Sequence, residues 1–162
     1  MSAKSNFKNP NIASFLKRNH IAVIATANKE TGAPHAAAVY YATDSQMNIF
    51  FVTKEDTTKS KNLTANPQVA LAIYEAAVQA TAQITGTVTR VEDPVMLQKA
   101  LRIMSKHARE TAKTDEAPYS KLNAGQYVLY KIWPQTIRLG EYKYGPHNQI
   151  FDIATPAEES LE

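Results

Sequence analysis

The chain of 162 residues contains no cysteine. This absence excludes disulfide bonds, zinc sites with thiolate ligands and cysteine nucleophiles. Long hydrophobic runs are also missing: the N-terminal segment MSAKSNFKNPN is polar, and no segment has the length of a membrane span. We therefore expect a cytoplasmic protein with no membrane partner.

The excess of positive over negative charge is small as well. The 18 lysines and arginines exceed the 15 acidic residues by only three, and no helix or loop carries a dense basic run. A nucleic-acid interface needs such a basic patch, so we expect no nucleic-acid partner.

Familiar catalytic sets are absent too. The sequence has no Gly-x-Ser-x-Gly elbow and no Walker loop, and its acidic residues lie mostly in turns and in the C-terminal tail. No two histidines stand at metal-ligand spacing on one element, so we predict no metal site. An enzyme of this kind would take its reactivity from a bound cofactor. The four histidines are His20, His35, His107 and His147.

What the chain does contain is a series of short apolar runs separated by turns. Residues 48–53 and 69–74 are almost continuously apolar, which predicts strands covered on both faces. Residues 79–92 alternate with period two, and Gly86 on the apolar face predicts a bulge or a close backbone approach. We expect Pro134 to end one strand, with 136–142 pairing back on it as a hairpin. The predicted strands are 20–27, 34–43, 48–53, 69–74, 79–92, 127–133 and 136–142.

Three helices complete this prediction, and they begin near Pro10, before Lys59 and at Pro94. The third carries a stripe that includes His107, which is more often a packed side chain than a ligand. The fold class is therefore α+β, with a small antiparallel barrel of six or seven strands and three flanking helices. It forms one domain over 1–145, followed by a tail over 146–162 whose last part we expect to be disordered.

The segment TKEDTTKSKNLTAN, residues 53–66, is together with the strands around it the most informative stretch. Asp56, Thr57 or Thr58 can cap a helix, and Lys59 and Lys61 then fall in its first turns. Backbone N–H groups, hydroxyls and ammonium groups would meet there, as a bound phosphate requires. The alternative is a capped surface helix with ordinary lysines, and the residues alone leave both readings open.

Three motifs resemble a known family. The hairpin GAPHAAAVYY, the segment IFFVTKEDTTKSKNLTANPQVALAIY and the strand AQITGTVTRVED are similar to the FMN-binding split barrel of the pyridoxamine 5′-phosphate oxidase-like flavoproteins. The terminal YKIWPQTIRLGEY is similar to that family's closing hairpin. The resemblance spans about residues 12–142 and implies a homodimer with FMN at the interface.

The resemblance also implies which residues contact the cofactor. It assigns the phosphate to the loop and helix start, the flavin ring to two strands, and two further contacts to the long strand and the closing hairpin. Thr58 stands where the family has an arginine beside its lysine, and a threonine cannot replace the bidentate guanidinium. The implied cofactor contacts are His35, Ala36, Ala37, Ala38, Val52, Thr53, Thr57, Thr58, Lys59, Lys61, Thr81 and Trp133.

Three functions follow from these observations. The first is an FMN-dependent oxidoreductase that exchanges a hydride with a small substrate or a nicotinamide electron donor. The second is a flavin or haem carrier or sensor without turnover, with His147 as a conceivable haem ligand. The third is a deazaflavin-dependent reductase. The C-terminal Arg/His substrate motif of the true oxidase is not evident, so we do not expect vitamin B6 oxidation.

Overall fold

A computed structural model describes residues 10–113, 126–142 and 149–152, the last of these as backbone only. It contains three helices and seven strands among these residues. In chain order they are α1 Pro10–Arg18, β1 Ile21–Ala27, β2 Pro34–Thr43, β3 Ile49–Lys54, α2 Thr58–Ala65, β4 Gln68–Glu75, β5 Ala80–Val91, α3 Pro94–Ala112, β6 Tyr127–Glu141 and β7 Gln149–Asp152.

The strands form one antiparallel sheet that closes on itself. Its order is β3-β2-β1-β4-β5-β6-β7, and an additional pairing of β3 with β6 completes a six-stranded barrel. One edge of β6 pairs first with β3 over Tyr127–Ile132 and then with β7 over Arg138–Glu141. This architecture confirms the predicted α+β fold with an antiparallel barrel and three helices.

The predicted hairpin at Pro134 is wrong. Strand β6 runs without interruption through Pro134, whose side chain is buried. Gly86 pairs with Pro134 while Thr85 pairs with Thr136, so β6 carries one extra residue at this point. A proline is tolerated in a sheet at such a bulge because the ladder is already interrupted there. The bulge predicted from Gly86 is therefore confirmed, and it explains why the strand continues.

One further prediction differs from the structure. Strand β3 is buried on both faces, as expected, but β4 alternates between buried and exposed side chains. The outer face of β4 is uncovered because no described helix packs on that part of the barrel. Strand β7 lies within residues 146–162 and extends the sheet beside β6.

The apolar side chains form two clusters. The larger one fills the barrel and includes Ile12, Phe15 and Leu16 of α1, which covers one end. The smaller one lies between α3 and the outer surface of β2, β3 and β6. The outer face of β1, β4 and β5 therefore stays open. No helix among the described residues is long and apolar enough to span a bilayer.

Candidate functional site

The start of α2 is built around one threonine. Thr57 has extended backbone angles and caps the helix, and its hydroxyl accepts a hydrogen bond from the Ser60 N–H at 3.4 Å. The same hydroxyl donates to the Lys54 carbonyl at 2.9 Å. Because a hydroxyl has only one hydrogen, the buried Thr53 hydroxyl must be the donor in its 3.2 Å contact with Thr57. Of the three predicted caps, the structure selects Thr57.

Buried polar contacts hold α2 against two walls of the barrel. The Ser60 hydroxyl lies 2.8 Å from the Tyr130 hydroxyl of β6, and the Tyr130 ring stacks on Phe51. On the other side, the Asn62 amide donates to the Thr26 hydroxyl of β1 at 3.1 Å. No local signal in the sequence points to Ser60, Asn62 and Tyr130, because strand register and packing determine which polar side chains of a short helix face inwards.

Because Ser60, Asn62 and Leu63 face the barrel, the remaining helical positions face outwards. Thr58 and Lys61 are exposed, whereas Lys59 is half-buried. Burial lowers the pKa of Lys59, and no carboxylate among the described residues forms an ion pair with it. A partly desolvated ammonium without a counter-ion is an unfavourable arrangement that a bound anion would relieve.

Backbone donors lie at the same point. The first N–H groups of a helix have no intrahelical partner. Within the described structure, the Ser60 N–H bonds to the cap, while no hydrogen bond uses the N–H groups of Thr58 and Lys59. These two N–H groups, the Lys59 ammonium and the exposed Lys61 make the start of α2 an electropositive corner suited to an anion.

Strand β2 leaves one backbone edge open beside α2. Its ladder with β3 includes only Tyr41–Thr43, and no described strand pairs with that edge over residues 34–40. The Tyr41 N–H donates to the His20 carbonyl, so the backbone groups of Tyr41 point towards β1. Backbone groups of successive strand residues point alternately to the two edges, so those of Ala36 and Ala38 point to the open edge. Small side chains border this edge, which leaves room for a flat ligand.

His35 supplies an unpaired polar atom at this place. His35 pairs with Thr26 in the β1–β2 ladder. The Thr26 hydroxyl donates a long hydrogen bond of 3.5 Å to the His35 carbonyl and accepts one from the Asn62 amide. The His35 Nδ1 atom is buried and has no hydrogen-bond partner among the described residues. An unsatisfied buried polar atom costs about 1–3 kcal/mol, so a ligand group that bonds to it would be stabilised.

The other predicted contacts fall in different surroundings. Ala37 faces the barrel interior, and Val52 is 2% exposed in the cluster under α3. Thr81 pairs with Tyr74 near the start of β5, whereas Trp133 pairs with Thr87. Six residues of strand separate those two positions, or about 20 Å. Within one chain, the structure therefore does not bring Thr81 and Trp133 together.

Trp133 lies on the outer surface with 44% of its area exposed. Its indole N–H donates to the Thr89 hydroxyl at 3.1 Å, and the Lys131 ammonium lies 3.6 Å from the ring centroid. These contacts hold the ring in a defined position while one side of it stays accessible.

One protein-family model matches most of the chain. The family model described as pyridoxamine 5′-phosphate oxidase matches residues 9–139 of the 162. The chain belongs to this family. A search of curated proteins found no match.

Solved structures of other proteins share the fold of this oxidase-family chain. A pyridoxamine 5′-phosphate oxidase-related, FMN-binding protein from Nostoc punctiforme PCC 73102 has a TM-score of 0.63 at 16% identity, covering 94% of this chain and 99% of its own. A protein described as an F420 reductase has a TM-score of 0.59 at 21% identity, covering 76% and 93%. A haem-binding protein from Mycobacterium smegmatis has a TM-score of 0.58 at 19% identity, covering 84% and 53%. At these identities the likeness concerns the fold alone.

Proposed function

We propose that this chain binds FMN and acts as an FMN-dependent oxidoreductase. The observation that carries the proposal is Lys59, a half-buried ammonium without a carboxylate partner among the described residues, at a helix start with unused N–H groups. The family match supports a flavin as the ligand. Bound FMN would supply the redox chemistry by exchanging a hydride with a small substrate or a nicotinamide donor.

The residues present fit this cofactor in two parts. Lys59, Lys61 and the N–H groups of Thr58 and Lys59 would hold the phosphate, with the Thr57 and Thr53 hydroxyls keeping the helix start in place. The open backbone edge at Ala36 and Ala38 would hydrogen-bond the polar rim of the ring, as the resemblance implies for residues 35–38. Val52 would contact the flavin ring through its backbone, because its side chain is buried.

His35 has a separate role in this proposal. Its buried Nδ1 atom would bond the ribityl chain or the ring, which would remove the unsatisfied polar atom. It would thereby orient the cofactor relative to β2. We assign no catalytic acid or base, since the chemistry resides in the flavin.

A second copy of the chain would complete the site. Thr81 and Trp133 lie far apart in one chain, and the face between them carries the exposed apolar side chains Ile21, Val23 and Tyr74. A cleft of about 550 Å³ crosses this face between β1, β4, β5 and β6. An exposed apolar surface of this kind is typical of an interface. We therefore propose a homodimer in which each protomer brings Thr81 or Trp133 to its partner's cofactor.

Two alternatives share the same barrel. A flavin or haem carrier without turnover is the first, and the haem-binding neighbour shares the fold. His147, the conceivable haem ligand, lies outside the described residues. A deazaflavin-dependent reductase is the other alternative, because the F420 reductase also shares the fold.

Mass spectrometry of the ligand released from native protein, together with its absorption spectrum, tests the proposal. We expect FMN at about one molecule per chain, and reduction by NADH or NADPH followed by transfer to an acceptor. Bound deazaflavin or a haem Soret band would replace the proposal with one of the alternatives. Protein that releases no cofactor and takes up no FMN in a titration would refute it.

A further inference from the structure

Two histidines stack on each other away from the candidate site. The rings of His20 and His107 lie nearly parallel, with centroids 3.7 Å apart and an interplanar angle of 14°. His20 follows α1 and precedes β1, while His107 lies in the C-terminal half of α3. The stack therefore joins the α1–β1 junction to the helix that covers the second apolar cluster.

The hydrogen bonds define how the pair takes up protons. The His107 Nδ1 atom lies 3.0 Å from the Tyr41 carbonyl, which can only accept, so Nδ1 carries the hydrogen. Protonation of His107 therefore occurs at Nε2. The His20 Nε2 atom lies 3.6 Å from a Glu110 carboxylate oxygen, within ion-pair distance of a charged imidazole, and burial lowers the pKa of the neighbouring His107, which the charge of Glu110 partly offsets.

Other charged groups around the pair come from each neighbouring element. On α3, Lys106 lies 3.7 Å from Glu110 and so competes with His20 for that carboxylate. From α1, Lys17 borders the cavity of about 190 Å³ beside the rings. Arg18 is engaged by Glu75 at 2.8 Å, and the buried Tyr41 hydroxyl donates to the Leu16 carbonyl. The carboxylate nearest to the pair is thus Glu110.

One proton on the pair is favourable, but two are not. A single imidazolium can stack on a neutral ring and pair with Glu110, whereas two imidazolium ions at this separation repel each other. Burial and then the charge of His20 lower the pKa of His107. A histidine whose pKa is lowered in the folded state contributes stability at pH values above its ordinary pKa. This contribution is lost as the pH falls through the lowered pKa.

We propose that the stacked pair is a proton-sensitive latch that holds the C-terminal half of α3 on the α1–β1 junction. The latch is closed while the pair carries one proton or none, and the second proton weakens it. The same half of α3 contributes Met104 and Ala108 to the cluster over Val52, and its Thr111 hydroxyl donates to the His107 carbonyl and lies 3.3 Å from the Tyr40 hydroxyl. Opening the latch would thus uncover the end of β3 that leads into α2.

Hydrogen–deuterium exchange of the full chain tests the latch. The quantity to compare is the protection factor of α3 amides 103–112, corrected for intrinsic exchange rates and divided by the protection factor of β5. This ratio should fall about fivefold to tenfold when the pH is lowered from about 7.5 to about 5. His20→Gln keeps a donor at the Nε2 position and His107→Asn keeps one at Nδ1, so each removes the second charge with little change in shape. Either variant should abolish most of this fall.

A third variant distinguishes opening of the latch from nonspecific destabilisation at low pH. Glu110→Gln removes the group that favours protonation, so the loosening should move to lower pH, and NMR titration of the two rings should show the same direction. Two rings that titrate independently near the ordinary histidine pKa would overturn the proposal. An equal loss of α3 protection in His20→Gln and in the wild type would also overturn it, and one folded variant suffices for the comparison.

Discussion

Replacement of Lys59 by alanine should weaken FMN binding while leaving riboflavin binding nearly unchanged. The two ligands differ only in the phosphate, which the proposal places at the start of α2. Lys59 is half-buried and has no carboxylate partner among the described residues, so its charge is available to a bound anion. A charge-assisted hydrogen bond is worth about 1.5–3 kcal/mol, or about one to two decades in the dissociation constant.

Flavin fluorescence quenching measures both dissociation constants with apoprotein. Lys99→Ala is the matched control, because it removes the same charge from an exposed position on α3. It should change FMN affinity by less than a factor of about two. Far-UV circular dichroism and thermal unfolding should confirm that both variants are folded.

The pH dependence gives a second, independent readout. Burial lowers the pKa of Lys59, so FMN affinity should be full while the ammonium is protonated and should fall as pH rises through that lowered pKa. The fall should begin below the ordinary lysine range and should be absent in Lys59→Ala. Equal losses of FMN and riboflavin affinity in Lys59→Ala would refute the placement of the phosphate.

Three further changes test other parts of the structure. Thr58→Arg restores the guanidinium that the family has beside its lysine, and it should tighten FMN binding by about one to two decades in the same titration, with riboflavin unaffected. Gly86→Ala should destabilise the fold by about 1–3 kcal/mol in urea unfolding, because its Cβ would overlap the Trp133 carbonyl; an unchanged midpoint would contradict the bulge geometry. Val23→Asp should convert the proposed dimer to monomer in light scattering, whereas Val95→Asp, equally apolar and more exposed on α3, should not.

Local signals predicted most elements well. Thr57 caps α2 and Asp93 followed by Pro94 starts α3, as capping preferences indicate. The hairpin at Pro134 was wrong because the local rule treats proline as a strand breaker. Its tolerance depends on Gly86, which is far away in sequence and allows the backbone of β6 to approach closely.

The candidate site shows the same division. Sequence alone placed Thr57, Thr58 and Lys59 at a helix start, because capping residues and lysines are local features, and it left a phosphate site and an ordinary capped helix both open. It did not indicate that Ser60 and Asn62 are buried and tie the helix to β6 and β1. Nor did it show that Ala36 and Ala38 point their backbone groups to the open edge of β2, since this depends on the register with β1.

Residues that are close together in the chain were enough to predict most strands and helices, the resemblance to the family, and the lysines at the start of α2. The fold was needed to show that β6 passes Pro134 unbroken and that β2 keeps an open edge beside α2. It also brought His20 and His107 into a stack across 87 positions of sequence. Such contacts depend on strand register and packing, which bring together residues with no local relation.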